Sequence, residues 1–261
     1  MASGRTAMGD KTVIALNLKG VGHAYLGRTV LDGIDLAIAE GEIVALVGPS
    51  GCGKSTLAHI AADLIEARAG RIDRGYRRHA MIFQEPSLLP WATAEGNVAF
   101  SLKLAGVPRR ERAGRIVETA ERVSLLPEDL KKFPVELSGG MKQRVAIARA
   151  LAVRPDFVYF DEPFTALDVA LRRRMQDLVK ETCAGGQLSG LFITHDLQEA
   201  ARLADRIAVL DSHGKGVLGV RIVPSARPGW DDTAVFDWVQ SALKHDPLFR
   251  HIHDVDERQI A

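Results

Sequence analysis

Several kinds of protein are excluded by what this chain lacks. Only two of its 261 residues are cysteines, Cys52 and Cys183, too few for a disulfide framework and in keeping with a reducing compartment. No run reaches the ~18 consecutive apolar residues of a spanning helix. The opening residues, MASGRTAMGDKTV, have no apolar centre of the signal-peptide kind. Any membrane role is therefore expected to come through a partner. Charge is nearly cancelled: 34 Lys plus Arg stand against 33 Asp plus Glu, without the basic field of a nucleic-acid binder, so no nucleic acid is expected as a partner. There is no internal repeat, low-complexity tract or sustained heptad array, which sets aside solenoids and coiled-coil insertions. What remains is a chain long enough for one large α/β domain, or a core with a subdomain.

The most informative stretch is GEIVALVGPSGCGKST, residues 41–56. A short apolar run, Ile43 to Val47, reads as a buried strand. It ends in a glycine-rich turn, Gly48, Pro49, Ser50, Gly51, Cys52 and Gly53, followed by Lys54, Ser55 and Thr56. The glycines let the backbone turn tightly with its N–H groups inward, and a helix from about Lys54 aims its positive end at the same point. This is a phosphate cradle. Lys54 is expected at the β- and γ-phosphates of a nucleotide, and the Ser55 hydroxyl at Mg²⁺.

Upstream, residues 12–40 alternate apolar and polar in short pieces, as at Ile34, Leu36 and Ile38, which predicts half-exposed antiparallel strands. Tyr25, taken alone, reads as a packing aromatic. After the cradle, Leu57 to Ala67 is expected to be helical, Arg71 to Arg78 turn-like, and His79 to Phe83 a strand with Gln84 at its end. The prolines of EPSLLPW then take the chain out of the sheet. Residues 92–136 read as a helical insertion whose Arg109–Leu125 stretch keeps Ile116, Ala120 and Val123 on one face. Ser138, Gly139 and Gly140 precede the helix MKQRVAIARALAV, either as an ordinary N-cap or as a second anion site.

Phe157 to Phe160 reads as another buried strand, closed by Asp161 and Glu162. Ala166, Leu167 and Asp168 lead into a helix, and Gly190 to Thr194 forms a strand ending at His195. Asp196 to Ala204 is expected to be helical, and Arg206 to Leu210 the last clear strand. Strands alternating with helices imply a mainly parallel α/β sheet. In such a sheet the C-terminal strand ends share one rim, which gathers the cradle, the carboxylates and His195. Adjacent side chains at a strand end diverge, so Asp161 can hold Mg²⁺ while Glu162 orients and deprotonates water, and His195 can donate to the γ-phosphate.

GPSGCGKST, the glutamine of MIFQEPSLLPW, LSGGMKQRVAIARAL, FVYFDEP, ALD and FITHD stand in the order and spacing of ATP-binding-cassette ATPases, and from about residue 13 to 223 the chain resembles that family. The resemblance implies a phosphate-loop NTPase core with a mainly parallel sheet and an N-terminal antiparallel β subdomain, from residues 1–85 and 157–223. It also implies an inserted helical signature subdomain (86–156) and a short C-terminal helical extension (224–261). It implies two copies sandwiching ATP head to tail, with Ser138, Gly139 and Gly140 of one chain at the γ-phosphate held by the other and Asp168 at the seam. It makes Tyr25 the aromatic that stacks on adenine. Gln84 becomes a reacting-centre residue and metal ligand that links the nucleotide to a transmembrane permease.

Within the family, FQEPSLLPW, NVAFSLKLAGV and LSGGMKQRVAIARAL are most similar to the ATPases of nitrate, sulfonate and taurine importers. AADLIEA and TAEGNV depart from the usual pattern near surfaces that meet a permease. The expected partners are a second copy, permease subunits and a periplasmic or extracellular solute-binding protein, with the chain at the cytoplasmic face of the cell membrane. The chain stops too early for the β-rich regulatory domain of sugar-importer ATPases. An exporter or lipid-trafficking ATPase shares the same chemistry. A soluble cassette acting on DNA or ribosomes, or a nucleotide kinase, fits less of the pattern.

Toward the end, Val235, Trp238, Val239 and Ala242 predict one amphipathic helix on the core. His251, His253, Asp254 and Asp256 read as a solvated tail rather than a metal site. Cys52, inside the cradle, is expected to be open to alkylating reagents and protected by ATP.

Overall fold

The computed structural model describes residues 13–184, 188–225 and 230–249. β1 (Ile14–Tyr25) and β2 (Arg28–Ala39) form a long hairpin. Its two turn residues, Leu26 and Gly27, both take positive φ (48° and 83°), as a primed hairpin turn matched to the strand twist requires. On β2, Ile34, Leu36 and Ile38 are buried between exposed neighbours, as the alternation predicts. The phosphate loop follows β3 (Ile43–Val47) and runs into α1 (Lys54–Ala61). β4 (Ala69–Arg74) then returns to pair with β1, giving an antiparallel sheet of order β2-β1-β4.

β5 (His79–Ile82) opens the second sheet, to which β6 (Phe157–Asp161), β7 (Ser189–Ile193), β8 (Arg206–Leu210) and β9 (Val217–Ile222) also belong. Its order is β5-β6-β7-β3-β8-β9, parallel except for β9.

The central strands are apolar on both faces because each face meets a different core. On β3, Ile43, Ala45 and Val47 join the helical side, whereas Val44 and Leu46 join the core shared with the antiparallel sheet and α1. On β6, Val158 and Phe160 divide from Phe157 and Tyr159 in the same way. Sheets covered on both faces produce such unbroken apolar runs, and each fully buried large side chain contributes roughly 1.5–3 kcal/mol. Gly190 on β7 has no room for a side chain, since a Cβ there would lie 3.0 Å from the Val158 carbonyl oxygen and 3.2 Å from the Phe160 ring.

Between β5 and β6 the chain inserts α2 (Ala94–Leu104), α3 (Arg109–Arg122) and α4 (Gly139–Leu151). Ile116 and Ala120 are buried on α3, and Val123 at its C-cap. Asn97 on α2 is fully buried. Its Oδ1 accepts from Leu89 N at 2.8 Å, and its Nδ2 reaches the carbonyls of Leu89, Ala92 and Thr93 at 3.0–3.2 Å. One amide thereby pins the proline-bearing loop. Gln143 on α4 donates to the Pro163 carbonyl at 2.7 Å, tying the insertion to the loop after β6. α5 (Val169–Ala184), α6 (Leu197–Leu203) and α7 (Asp232–His245) cover the same face of the sheet.

Three expectations are corrected. The helix after the cradle stops at Ala61 instead of reaching Ala67. Asp63 turns to φ 66°, and Leu64 N bonds back to the His59 carbonyl at 2.8 Å. Arg71 to Arg74 lie in β4 and not in a turn; this is an edge strand whose charged residues, including the Arg71–Asp73 pair at 2.6 Å, hide its alternation. Arg206–Leu210 is likewise not the last strand, because β9 follows it through a turn at Gly214. A Cβ at Gly214 would lie 1.9 Å from the Val30 carbonyl oxygen. On α7, Val235 and Val239 are buried, and Trp238 packs edge-on against Trp230 and Phe249. His251, His253, Asp254 and Asp256 lie outside the described residues.

Candidate active site

β7 lies between β3 and β6, all three parallel, so Gly48, Asp161–Glu162 and Thr194–His195 meet on one edge. The contacts bear this out. Ser55 Oγ donates to Asp161 Oδ1 at 2.8 Å. His195 Nδ1 stands 3.2 Å from Glu162 Oε2, and Gln84 Nε2 reaches the same oxygen at 3.5 Å. The edge thus unites residues more than a hundred positions apart.

In the cradle, Gly48, Pro49, Cys52 and Lys54 are buried, whereas Ser50 and Gly51 face outward. Gly53 is irreplaceable on two counts: its φ is 103°, and a Cβ would lie 2.7 Å from the Leu31 side chain. As N-cap of α1 it supplies no side-chain cap, which leaves the first helical N–H groups of Lys54, Ser55 and Thr56 for an anion. Lys54 is 6% exposed. Its ammonium donates to the carbonyls of Gly48 (2.8 Å) and Pro49 (2.7 Å), so the charge is held inside the loop. Cys52 is 2% exposed and burial pushes its thiol up, which makes it a poor target for alkylation, against expectation.

The two carboxylates diverge, but strand alternation is only part of the cause. Asp161 closes β6, is 3% exposed, and burial raises its carboxyl above the usual range against the opposing pull of Ser55 and His59. Glu162 takes φ 44°, a left-handed posture that non-glycine residues adopt at a cost of about 1–3 kcal/mol. Its amide donates to the Ile193 carbonyl at 3.1 Å, and its carboxylate is swung toward Gln84 and His195.

Five expected residues stand apart from this centre. The Tyr25 ring, at the end of the β1–β2 hairpin, packs edge-on against His23 at 4.6 Å and stays 46% exposed. Ser138 caps α4 by accepting from Met141 N at 3.2 Å. Gly139 has open space where a side chain would stand, and Gly140 lies beside Ala166 and Leu167. Asp168 caps α5 by accepting from Leu171 N at 2.9 Å. Among the described residues, Ser138–Gly140 make no hydrogen bond to the cradle.

One residue of the centre escaped the sequence reading. His59 sets its Nε2 3.7 Å from Asp161 Oδ2 and tilts against Phe83 at 5.7 Å. It lies four residues after Ser55, on the same face of α1, and that spacing was the signal available.

The family profile described as ABC transporter matches residues 31–165. The chain is 43% identical over 197 residues to an aliphatic sulfonates import ATP-binding protein of Pseudomonas savastanoi pv. phaseolicola, covering 76% of this chain and 81% of that one. It is 40% identical over 247 residues to a taurine import ATP-binding protein of Chromobacterium violaceum, covering 90% and 91%. Its fold matches the dimeric post-hydrolysis structure of the ATP-binding cassette MJ0796 bound to ADP and Pi, with TM-score 0.72 and 30% identity over 80% of this chain and 98% of that one. With the cradle, the acidic strand end and His195 on one edge, these likenesses identify the chain as a member of the ABC transporter family and an ATPase of the ATP-binding-cassette type.

Proposed function

We propose that this chain is the ATP-hydrolysing subunit of an importer for a small sulfonate-type anion such as taurine, working as a head-to-tail dimer beneath a separate permease. One observation carries the reading: Lys54–Ser55, Asp161–Glu162, Gln84 and His195 converge on one sheet edge.

In this reading the cradle N–H groups and the Lys54 ammonium bind the β- and γ-phosphates, exchanging the Gly48 and Pro49 carbonyls for phosphate oxygens. Tyr25 offers its exposed face to adenine. Glu162 holds the attacking water in line and takes its proton. His195 and Gln84 fix the Glu162 carboxylate, and His195 donates to the γ-phosphate as charge moves onto it. Ser138, Gly139 and Gly140 of the second copy close the far side of the phosphate, with Asp168 at the seam.

Ser55, Asp161 and Gln84 fit Mg²⁺. They offer hard oxygen donors, and among the described residues the buried Asp161 carboxylate has a hydroxyl and an imidazole as its close partners. Among the described residues no cluster of three or more His, Cys, Asp or Glu could hold a metal, so phosphate oxygens and water would complete the shell, as is usual for this ion. When bound, Mg²⁺ would neutralise charge on the β- and γ-phosphates.

Membrane attachment comes through the permease, with the chain at the cytoplasmic face, as the names of its import ATP-binding relatives support; no described helix is long and apolar enough to cross a membrane. An apolar groove of about 560 Å³ beside the Gln84 loop, lined by Leu64, Met81, Phe83, Phe100 and Leu104 among others, supports a protein partner there. A solute-binding protein on the other side would choose the cargo. A strain lacking the chain should lose uptake of radiolabelled taurine or alkanesulfonate while inorganic sulfate uptake persists. Unchanged sulfonate uptake would overturn the cargo, and recovery of the chain from detergent extract with nucleic acid and no membrane protein would overturn the transport role.

A further inference from the structure

Behind His195 the chain buries a carboxylate that the chemistry above leaves without a part. Glu199 on α6 is 9% exposed. Its Oε2 accepts from Thr194 Oγ1 at 2.6 Å, and its Oε1 accepts from Gln176 Nε2 at 3.0 Å. The Thr194 hydroxyl in turn accepts from Asp196 N at 3.0 Å, and Asp196 caps α6 through the N–H groups of Gln198 and Glu199. His195 therefore stands on a turn whose two flanking residues are joined by the Thr194 hydroxyl, which itself rests on Glu199.

The other arm of the network leads to α5. Gln176 lies one helical turn beyond Arg172, on the same face; burial raises the Glu199 carboxyl, opposed by its hydrogen bonds to Thr194 and Gln176. Arg172 donates through Nη2 to the Leu167 carbonyl at 3.2 Å and through its amide to the Asp168 carbonyl at 2.8 Å. Through Glu199 the turn of His195 is thus tied to Gln176 on α5, one helical turn from the Arg172 that bonds to the Leu167–Asp168 loop. A buried carboxylate is a poor device for packing alone, because an apolar side chain would fill the space without losing solvation. Its two directed bonds to separate elements suit a different task.

We propose that Glu199 is a positioning residue of the ATPase: it locks the Thr194–His195–Asp196 turn to Gln176 on α5, so that the histidine keeps one geometry. This rests on the reading of His195 at the γ-phosphate. Because Glu199 acts through His195, its loss changes turnover and leaves nucleotide binding alone.

The test is steady-state hydrolysis by the full-length protein, with thermal melting as the control for folding. Glu199→Ala should lower kcat about tenfold with KM for ATP held within about twofold. Glu199→Gln keeps an acceptor for the Thr194 hydroxyl, while Gln176 can turn its amide to match, so kcat should return to within about twofold of the parent. In a His195→Ala background, Glu199→Ala should cause no further fall, the non-additivity expected of groups acting as one unit. Losses that multiply in the double variant, or a KM that rises in step with the fall in kcat, would overturn the proposal. If Glu199→Ala does not fold, Gln176→Leu tests the other arm, and it should lower kcat at constant KM; unchanged kcat there would count against the coupling. Normal turnover in His195→Ala alone would remove the role given to His195. An inactive His195→Ala beside a fully active Glu199→Ala would remove only the role given to Glu199.

Discussion

The phosphate cradle at residues 48–55 and the Ser138–Gly140 segment are both glycine-bearing helix N-termini, yet the chain builds them in opposite ways. The cradle buries Gly48, Pro49, Cys52 and Lys54, its lysine is satisfied by its own loop carbonyls, and Gly53 is wedged against Val30 and Leu31. The other segment is exposed, its serine caps its own helix, and the position of Gly139 opens onto empty space. One site is finished within the chain, and the other presents a surface to be finished by something else. In the proposed head-to-tail dimer a second copy with the same two features would supply each with its complement, as a closed two-fold pair can satisfy two unlike surfaces at once.

The sharpest break of this contrast is Lys54→Ala, which removes the charge inside the finished site; nucleotide binding and hydrolysis should vanish together in a fluorescent-ATP titration and a phosphate-release assay. Next comes Glu162→Gln, expected to cost about 10²- to 10⁴-fold in turnover, the usual scale for a lost general base, while ATP still binds and gel filtration finds a trapped dimer. Ser138→Arg addresses the unfinished site. Turnover should fall by at least about tenfold while the monomer's ATP affinity stays within about twofold, because the contact belongs to the partner's phosphate.

Smaller effects divide along the same line. Asn97→Ala strands buried backbone groups of the insertion that carries Ser138, at about 1–3 kcal/mol for each group left unpaired. Chemical denaturation should register that loss, with ATP affinity unchanged. The smallest effect is in the dependence on pH. Asp161, beside the cradle, has its carboxyl raised by burial, so the folded state holds the proton longer than the unfolded one and stability declines as pH rises through the raised range. Asp129, in the insertion, has its carboxyl lowered by the Lys132 hydrogen bond at 2.6 Å, so its contribution is present above the ordinary aspartate range and is lost as pH falls through the lowered one. Melting curves of Asp161→Asn and Asp129→Asn should remove slopes of opposite sign from the acid side of the stability profile, above and below the ordinary aspartate range respectively.

The rim was legible in the sequence because three unbroken apolar runs, Ile43–Val47, Phe157–Phe160 and Gly190–Thr194, end on Gly48, Asp161 and His195, and parallel strands put such ends together. The edge strands were not. β4 is written in charges with only Ile72 turned to the core, and β9 is half-buried along its length, so neither leaves the periodic trace that burial imposes. Nor could the sequence show that Cys52 is sealed from solvent, since that depends on Lys54 and the strands packed over it. His59 and Glu199 share the same cause: each is one polar residue on a helix, and only the neighbouring element reveals what it faces.

Glu162 holds a backbone angle that glycine would take freely, and holds it at the one place where a carboxylate is needed. The chain accepts a standing tension there. A glycine at that position would relax the turn and firm the fold while discarding the carboxylate proposed as the base, so on that reading selection for robustness and selection for work pull this residue in opposite directions. Hardening such a protein for use at high temperature would therefore have to begin anywhere but here.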